Sequence, residues 1–265
     1  MWLLLFALFD RGQLVAAPAD TGGSSTPAGP AGVLAPGALL TVEFPEMPPT
    51  FYAVQEKKNL PAKMTVFLPR NYTPAGRFPV LVFLNGWNGG TGADLGVARS
   101  LCEDRDFVCV SVPLWKIDPS AADIVMRDPD AAAMWPQFQT MLAKLDELVP
   151  NLDRARWVLG GFSNGAHAAQ GLIDMSQGEV ARRFSAVFFV EGGGRLTDYG
   201  LLKDKPFLMV SSNVASLPRS REIADTARQH GAEVTLVYEN VGKHDFPTAA
   251  YPAVRAWLRS RLPGN

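Results

Sequence analysis

The chain has 265 residues, 47% of them hydrophobic, with 25 Lys and Arg against 26 Asp and Glu. That is enough apolar material for one sizeable core in a single domain, and a balanced charge with no basic stripe among aromatics excludes nucleic acid as a partner. No apolar run approaches the ~20 residues that a membrane-spanning helix requires.

Residues 1–17 read as a signal peptide: "MWLLLFALF" is a short apolar run, and "LVAAPAD" offers small residues for cleavage near Ala17. No Lys or Arg precedes the run, and Asp10 and Arg11 interrupt it. A tail with a chance apolar patch is the alternative. Export would make the protein secreted or periplasmic. Residues 18–38 are rich in Ala, Pro, Gly, Ser and Thr, lack large apolar groups, and read as a flexible linker. The folded domain is expected over 39–265.

From there strand and helix patterns alternate. "LLTVEF" and "MTVFLP" read as two strands, and "FPVLVFLNG" as a strand buried on both faces and ended by Asn-Gly. A helical pattern over 93–103 leads to the strand "FVCVSVPL". Cys102 and Cys109, at the end of that helix and in the strand, could form a disulfide in an exported protein or remain two buried thiols. Residues 114–132 read as irregular, and 133–149 as a helix with Met134, Phe138, Met141, Leu142, Leu145 and Leu148 at helical spacing.

The strand "RWVLGGFS" then meets a helix over 164–175, and "SAVFFVEGGG" and "KPFLMVSS" follow as strands. A helix over 218–230, the strand "EVTLVYENV" and a last helix around "VRAWLRSRL" complete the pattern. This alternation predicts an α/β fold: a mostly parallel sheet of about eight strands with helices on both faces. Ligands bind such sheets at the carboxyl ends of the strands.

Gly161-Phe162-Ser163-Asn164-Gly165 matches G-x-S-x-G, with a strand before and a helix after. That context holds a serine oxygen out on a sharp turn, and the following N–H at a helix start can stabilise an oxyanion. The alternative is a tight turn without chemistry. Ser163 needs a base, and there are three histidines. His167 lies one turn along the nucleophile's helix, and His230 ends a helix beside Gly231, where it can satisfy terminal carbonyls. His244, after the last strand, reaches the same sheet edge as Ser163. The loop Asn85-Gly86-Trp87-Asn88-Gly89-Gly90 is expected to supply the second oxyanion donor: the Trp87 amide beside that of Asn164, with Asn88 in reserve. Trp87 and Trp115, with the 114–132 segment, are expected to line the substrate pocket, unless the two indoles are core.

Three of these segments resemble the α/β-hydrolase superfamily, a resemblance covering about residues 40 to 262. "FLNGWNGG" looks like the His-Gly oxyanion loop of secreted esterases, with Asn85 where His is usual. "GGFSNGAHA" and "KHDFP" are similar to the nucleophile turn and histidine loop of the feruloyl-esterase and polyhydroxyalkanoate-depolymerase-like group. The resemblance implies carboxylic-ester hydrolysis through an acyl-enzyme, with neither cofactor nor metal. The ester could be small, feruloyl, polymeric or linked to plant polysaccharide. A peptidase of this fold and a non-catalytic carbohydrate- or polymer-binding relative are the alternatives.

The chain departs from the pattern at the triad acid. The family's acid usually follows the strand read as "PFLMVSS", but Asn213 or Val214 stands there. Asp245 is poorly placed to reach back to the neighbouring ring, and Glu222 and Asp225 fall inside a predicted helix. Glu191 ends the apolar strand "SAVFFV" at the required edge, and some members, pancreatic-lipase-like ones among them, take their acid from that strand. Glu191 is therefore the expected acid, Asp198 the reserve, and a Ser-His dyad the remaining alternative.

Overall fold

The computed structural model describes residues 34–120 and 123–262. The signal-peptide segment 1–17 and the greater part of the 18–38 linker lie outside the described residues. Residues 34–38, read as the end of that linker, are tied to the sheet. The Gly37 N–H donates to the Leu68 carbonyl at 3.1 Å, and Leu34 and Ala38 pack against the core.

Eight strands form one sheet: β1 (Leu39–Phe44), β2 (Ala62–Phe67), β3 (Phe78–Leu84), β4 (Val108–Ser111), β5 (Leu152–Phe162), β6 (Ala186–Val190), β7 (Pro206–Ser211) and β8 (Glu233–Tyr238). Their order is β1-β2-β4-β3-β5-β6-β7-β8. β2 runs antiparallel to both β1 and β4, and every other pair is parallel. β3, β4 and β6 are buried along their whole length, which is why they read as unbroken apolar runs.

Alternation along the strands feeds two cores. Val80, Val82 and Leu84 point to the face covered by α3 (Asp128–Leu148), α4 (Asn164–Met175) and α6 (Leu217–Gln229). Leu81 and Phe83 point to the face covered by α2 (Gly96–Cys102) and α7 (Tyr251–Arg259). The short helices α1 (Phe51–Gln55) and α5 (Glu179–Arg183) are each five residues long, too short to show a periodic signal in sequence.

The long helix α3 starts five residues before the expected 133. Asp and Pro made "DPDAA" look irregular, yet both are start signals here. Pro129 sits in the first turn, and the Asp130 carboxylate accepts the Arg127 N–H at 2.9 Å. Cys102 and Cys109 are buried free thiols. Burial, with the Cys109 thiol beside it, pushes the Cys102 thiol up from its ordinary value. Among the described residues no helix is long and apolar enough to cross a membrane, and no group of three or more metal-binding side chains is placed to hold an ion.

Candidate active site

β5 ends in the two glycines that precede Ser163. A Cβ on Gly161 would lie 2.4 Å from Gly165 backbone, and one on Gly165 would lie 2.0 Å from the Leu84 carbonyl oxygen. Only glycine lets α4 leave β5 this close to β3. Ser163 makes the turn at φ 52° and ψ −118°, a conformation that L-residues rarely adopt. Its N–H donates to the Val190 carbonyl at 2.8 Å, which fixes the turn to the end of β6. The side chain is left pointing out at the carboxyl edge of the sheet.

The Ser163 Oγ lies 2.8 Å from the His244 Nε2, and the His244 Nδ1 lies 3.2 Å from the Glu191 Oε2. A proton on Nδ1 is the one a carboxylate can accept. Nε2 then keeps its lone pair for the serine hydroxyl. The Phe162 ring stacks on the imidazole, with centroids 5.5 Å apart and planes at 28°. Phe162 is thus a positioning contact that the motif, which allows any residue there, did not reveal.

Glu191 is buried at the end of β6, also with positive φ, at 48°. Its Oε1 accepts from Ser216 Oγ at 2.7 Å, from Ser211 Oγ at 3.2 Å and from the Ser212 N–H, and its Oε2 accepts from Asn213 Nδ2 at 2.7 Å. Burial pushes its pKa up, but the hydrogen bonds from His244, Ser216, Ser212 and Ser211 outweigh it and bring the value down to about 2. The edge of β7 therefore supplies donors to Glu191. Asn213, standing where the usual pattern has its own carboxylate, is one of them. The sequence signal for this cradle is "SSNVAS", a polar run that follows a strand of apolar residues. Ser212 also holds the histidine loop: its Oγ donates to the Lys243 carbonyl at 2.9 Å and accepts the Asp245 N–H at 3.3 Å.

The other carboxylates weighed for this role are engaged elsewhere. Asp198 caps the turn 199–202 through the Gly200 N–H at 2.8 Å. Asp245 pairs with Lys243 at 2.9 Å, Asp225 with Arg228 at 2.6 Å, and Glu222 with Arg195. His230 accepts its expected place at the end of α6, its Nδ1 2.9 Å from the Thr226 carbonyl oxygen. His167 is half-buried. Burial, then the Arg219 and His244 charges, lower its pKa to about 4.

Trp87 stands at the end of β3 with φ 54° and an exposed ring. Its carbonyl accepts from Asn164 Nδ2 at 2.7 Å. The same Nδ2 donates to the Ile124 carbonyl, and Asn164 Oδ1 accepts the Met126 N–H at 3.0 Å. One side chain next to Ser163 thus ties the β3 loop and the segment after β4 to the start of α4. Among the hydrogen bonds of the described residues, none is donated by the backbone N–H of Trp87 or Asn164. Asn88 is buried, and its Oδ1 accepts the Gly90 N–H at 3.1 Å.

Trp115 does not line the site. It is 3% exposed, and its indole N–H donates to the Pro48 carbonyl at 3.1 Å. Beyond β4 the chain continues with Val112 and Leu114 in the core, and the Trp115 ring follows them there with its one donor satisfied. The segment beyond is pinned from beneath by Lys116, whose Nζ donates to the Asp123 and Val125 carbonyls at 2.7 and 3.0 Å.

No protein-family model matches the chain, and no curated protein matches it in sequence. Solved structures match it in fold. The carboxylesterase of Bacillus cereus shares 17% identity at a TM-score of 0.56, over 80% of this chain and 99% of its own. The carboxylesterase EstE1 from a metagenomic library shares 17% identity at 0.56, over 87% of this chain and 91% of its own. A thermostable esterase shares 18% identity at 0.53 over 85% of this chain, which spans 60% of that protein's length. With the sheet order above, these likenesses define the α/β-hydrolase fold.

Proposed function

We propose that the chain is a serine hydrolase that cleaves carboxylic esters through an acyl-enzyme. The observation that carries this reading is the line from Ser163 Oγ to His244 Nε2 and from His244 Nδ1 to Glu191, at 2.8 and 3.2 Å. Ser163 Oγ attacks the acyl carbonyl carbon while His244 Nε2 takes its proton. The tetrahedral oxyanion is held by the backbone N–H groups of Trp87 and Asn164. As the intermediate collapses, the ester C–O bond breaks and the leaving alcohol takes the proton from His244. Water then repeats the sequence on the acyl-serine, releasing the acid and restoring the hydroxyl. Glu191 stays ionised and favours the imidazolium formed in both steps. The esterases among the fold neighbours support the choice of ester over other acyl groups. Kinship with the feruloyl-esterase and polyhydroxyalkanoate-depolymerase-like group, and export to the periplasm or medium, rest on the sequence motifs and form part of the same proposal.

A peptidase is the second reading. A protein described as a dipeptidyl aminopeptidase IV from Bacteroides ovatus has this fold at a TM-score of 0.54 and 12% identity, the chain spanning 36% of its length. A fluorophosphonate probe together with paired p-nitrophenyl esters and p-nitroanilides separates the outcomes. Labelling of the wild type, none of Ser163→Ala, and turnover of esters over anilides is the expected result. Preference for anilides would favour the peptidase, and absence of labelling would leave a non-catalytic binding protein.

A further inference from the structure

Beside the row of Ser163, His244 and Glu191 lies a cavity of about 110 Å³, walled in part by Glu191, Gly192, Gly193, His167 and Arg219. It abuts the nucleophile turn: a Cβ on Gly192 would stand 2.4 Å from the Ser163 carbonyl oxygen. A water's share of liquid volume is about 30 Å³, and ligand pockets begin at roughly 300 Å³. The cavity therefore holds a few waters or one small polar group, and no long acyl chain. His167 stands on α4 one turn after Ser163, about 6 Å along the helix axis.

The polar groups of this wall lack partners within the protein. Among the described residues no hydrogen bond or ion pair engages the His167 ring or the Arg219 guanidinium. None is donated by the backbone N–H of Gly192 or Gly193 either. Glu222, one turn on from Arg219 along α6, could have met it but is taken by Arg195. The Glu191 charge is already answered, Oε1 by three serines and Oε2 by Asn213 and His244. What is left over at the cavity is the positive charge of Arg219, exposed at its rim. The lowered pKa of His167 keeps its ring neutral at pH 7, so it offers one N–H. A guanidinium presents two parallel N–H groups, a fork that matches a carboxylate.

We infer that this cavity receives a carboxylate carried by the ester itself, so that the substrate is a half-ester. The inference rests on the ester-hydrolase reading and narrows its substrate class. The acid belongs either to the acyl part, as in a monoester of a dicarboxylic acid, or to the leaving alcohol. A separation of about 6 Å from the nucleophile turn is spanned by a chain as short as that of glutarate. A neutral ester would engage Ser163 and leave Arg219 unanswered.

Two pairs of esters test this, each differing only in charge. Mono-p-nitrophenyl glutarate against its methyl ester places the acid on the acyl side, and 4-acetoxybenzoate against its methyl ester places it on the alcohol side. The wild type should favour the acid in one pair by about tenfold or more in kcat/KM, and that pair identifies the side. Arg219→Gln should erase the preference and Arg219→Lys should keep part of it. Arg221→Gln, on α6 but outside the cavity wall, should keep all of it. In calorimetry Ser163→Ala should bind monomethyl glutarate or 4-acetoxybenzoate, and Ser163→Ala with Arg219→Gln should bind it about tenfold or more weakly. A ratio near one in both pairs, or a preference that survives Arg219→Gln, overturns the inference. If none of the four esters is cleaved, the hydrolase reading fails and the titration decides the subsite by itself, equal binding by the two variants overturning it.

Discussion

Glu191 shows how a carboxylate is kept charged in a buried place. Taking it out of water favours the neutral acid, and donors from Ser211, Ser212, Asn213, Ser216 and His244 reverse that preference. The three serines hold Oε1, so that Oε2 faces the imidazole, steadied by the Asn213 amide. Glu191→Gln keeps the shape, but its amide can present an N–H to Nδ1 and select the wrong tautomer. We expect kcat for p-nitrophenyl butyrate to fall by on the order of 10⁴, with KM nearly unchanged, as loss of a triad acid does elsewhere. Steady-state kinetics on a folded variant, checked by circular dichroism, decides it. Turnover near that of the wild type would leave a Ser163–His244 dyad as the working unit.

At the scale of elements, the site is made by three strand ends and the loops that Asn164 gathers. The β3 loop, the segment after β4 and the start of α4 share no sequence proximity, yet all meet at its amide. The Trp87 N–H can serve as an oxyanion donor only if its left-handed backbone is held, and the bond from Asn164 to the Trp87 carbonyl holds it. Asn164→Ala leaves two carbonyls and one N–H without that partner, at a cost of about 1–3 kcal/mol for each buried group left unsatisfied. Weakening of one oxyanion donor is worth up to about 10²–10³ in kcat. We expect kcat to drop about 10- to 100-fold, more than KM changes, and the rate of fluorophosphonate labelling to drop with it. A variant with lowered melting temperature but unchanged kcat would confine Asn164 to stability.

At the scale of the whole molecule, two strongly shifted groups, His167 and Glu191, contribute to the response of stability to acid, beside smaller shifts at Asp104 and Asp174. His167 has a folded pKa of about 4 against an ordinary 6.5. Its neutral form belongs to the fold, so its contribution is full above 6.5 and is lost as pH falls from there through about 4. Glu191 has a folded pKa of about 2 against an ordinary 4.5. Its contribution, on the order of 3 kcal/mol, is full above 4.5 and is lost as pH falls toward 2. Urea unfolding against pH should therefore show stability declining in two successive windows. His167→Gln should flatten the upper window, and Glu191→Gln the lower one. A wild-type curve level from pH 6.5 to 4 would contradict the first assignment.

Much of this molecule was decided by local chemistry and was legible in the chain. Two-sided burial wrote β3, β4 and β6 as apolar runs, and close packing of strand, turn and helix required Gly161 and Gly165 around Ser163. The edge of the sheet on which Ser163, Glu191 and His244 lie followed from counting strand ends. What the chain could not carry was contact between distant segments. Trp115 reads like Trp87, two indoles after two strands, and only packing decides that one is sealed against Pro48 while the other stands in solvent. The donors around Glu191 come from β7, the neighbour of β6 in the sheet, and Phe162 meets His244 across 82 residues of chain. Spacing along a sequence reports what one element does to itself; which side chains complete another element's hydrogen bonds is set by strand order and register, and these exist only once the sheet has formed.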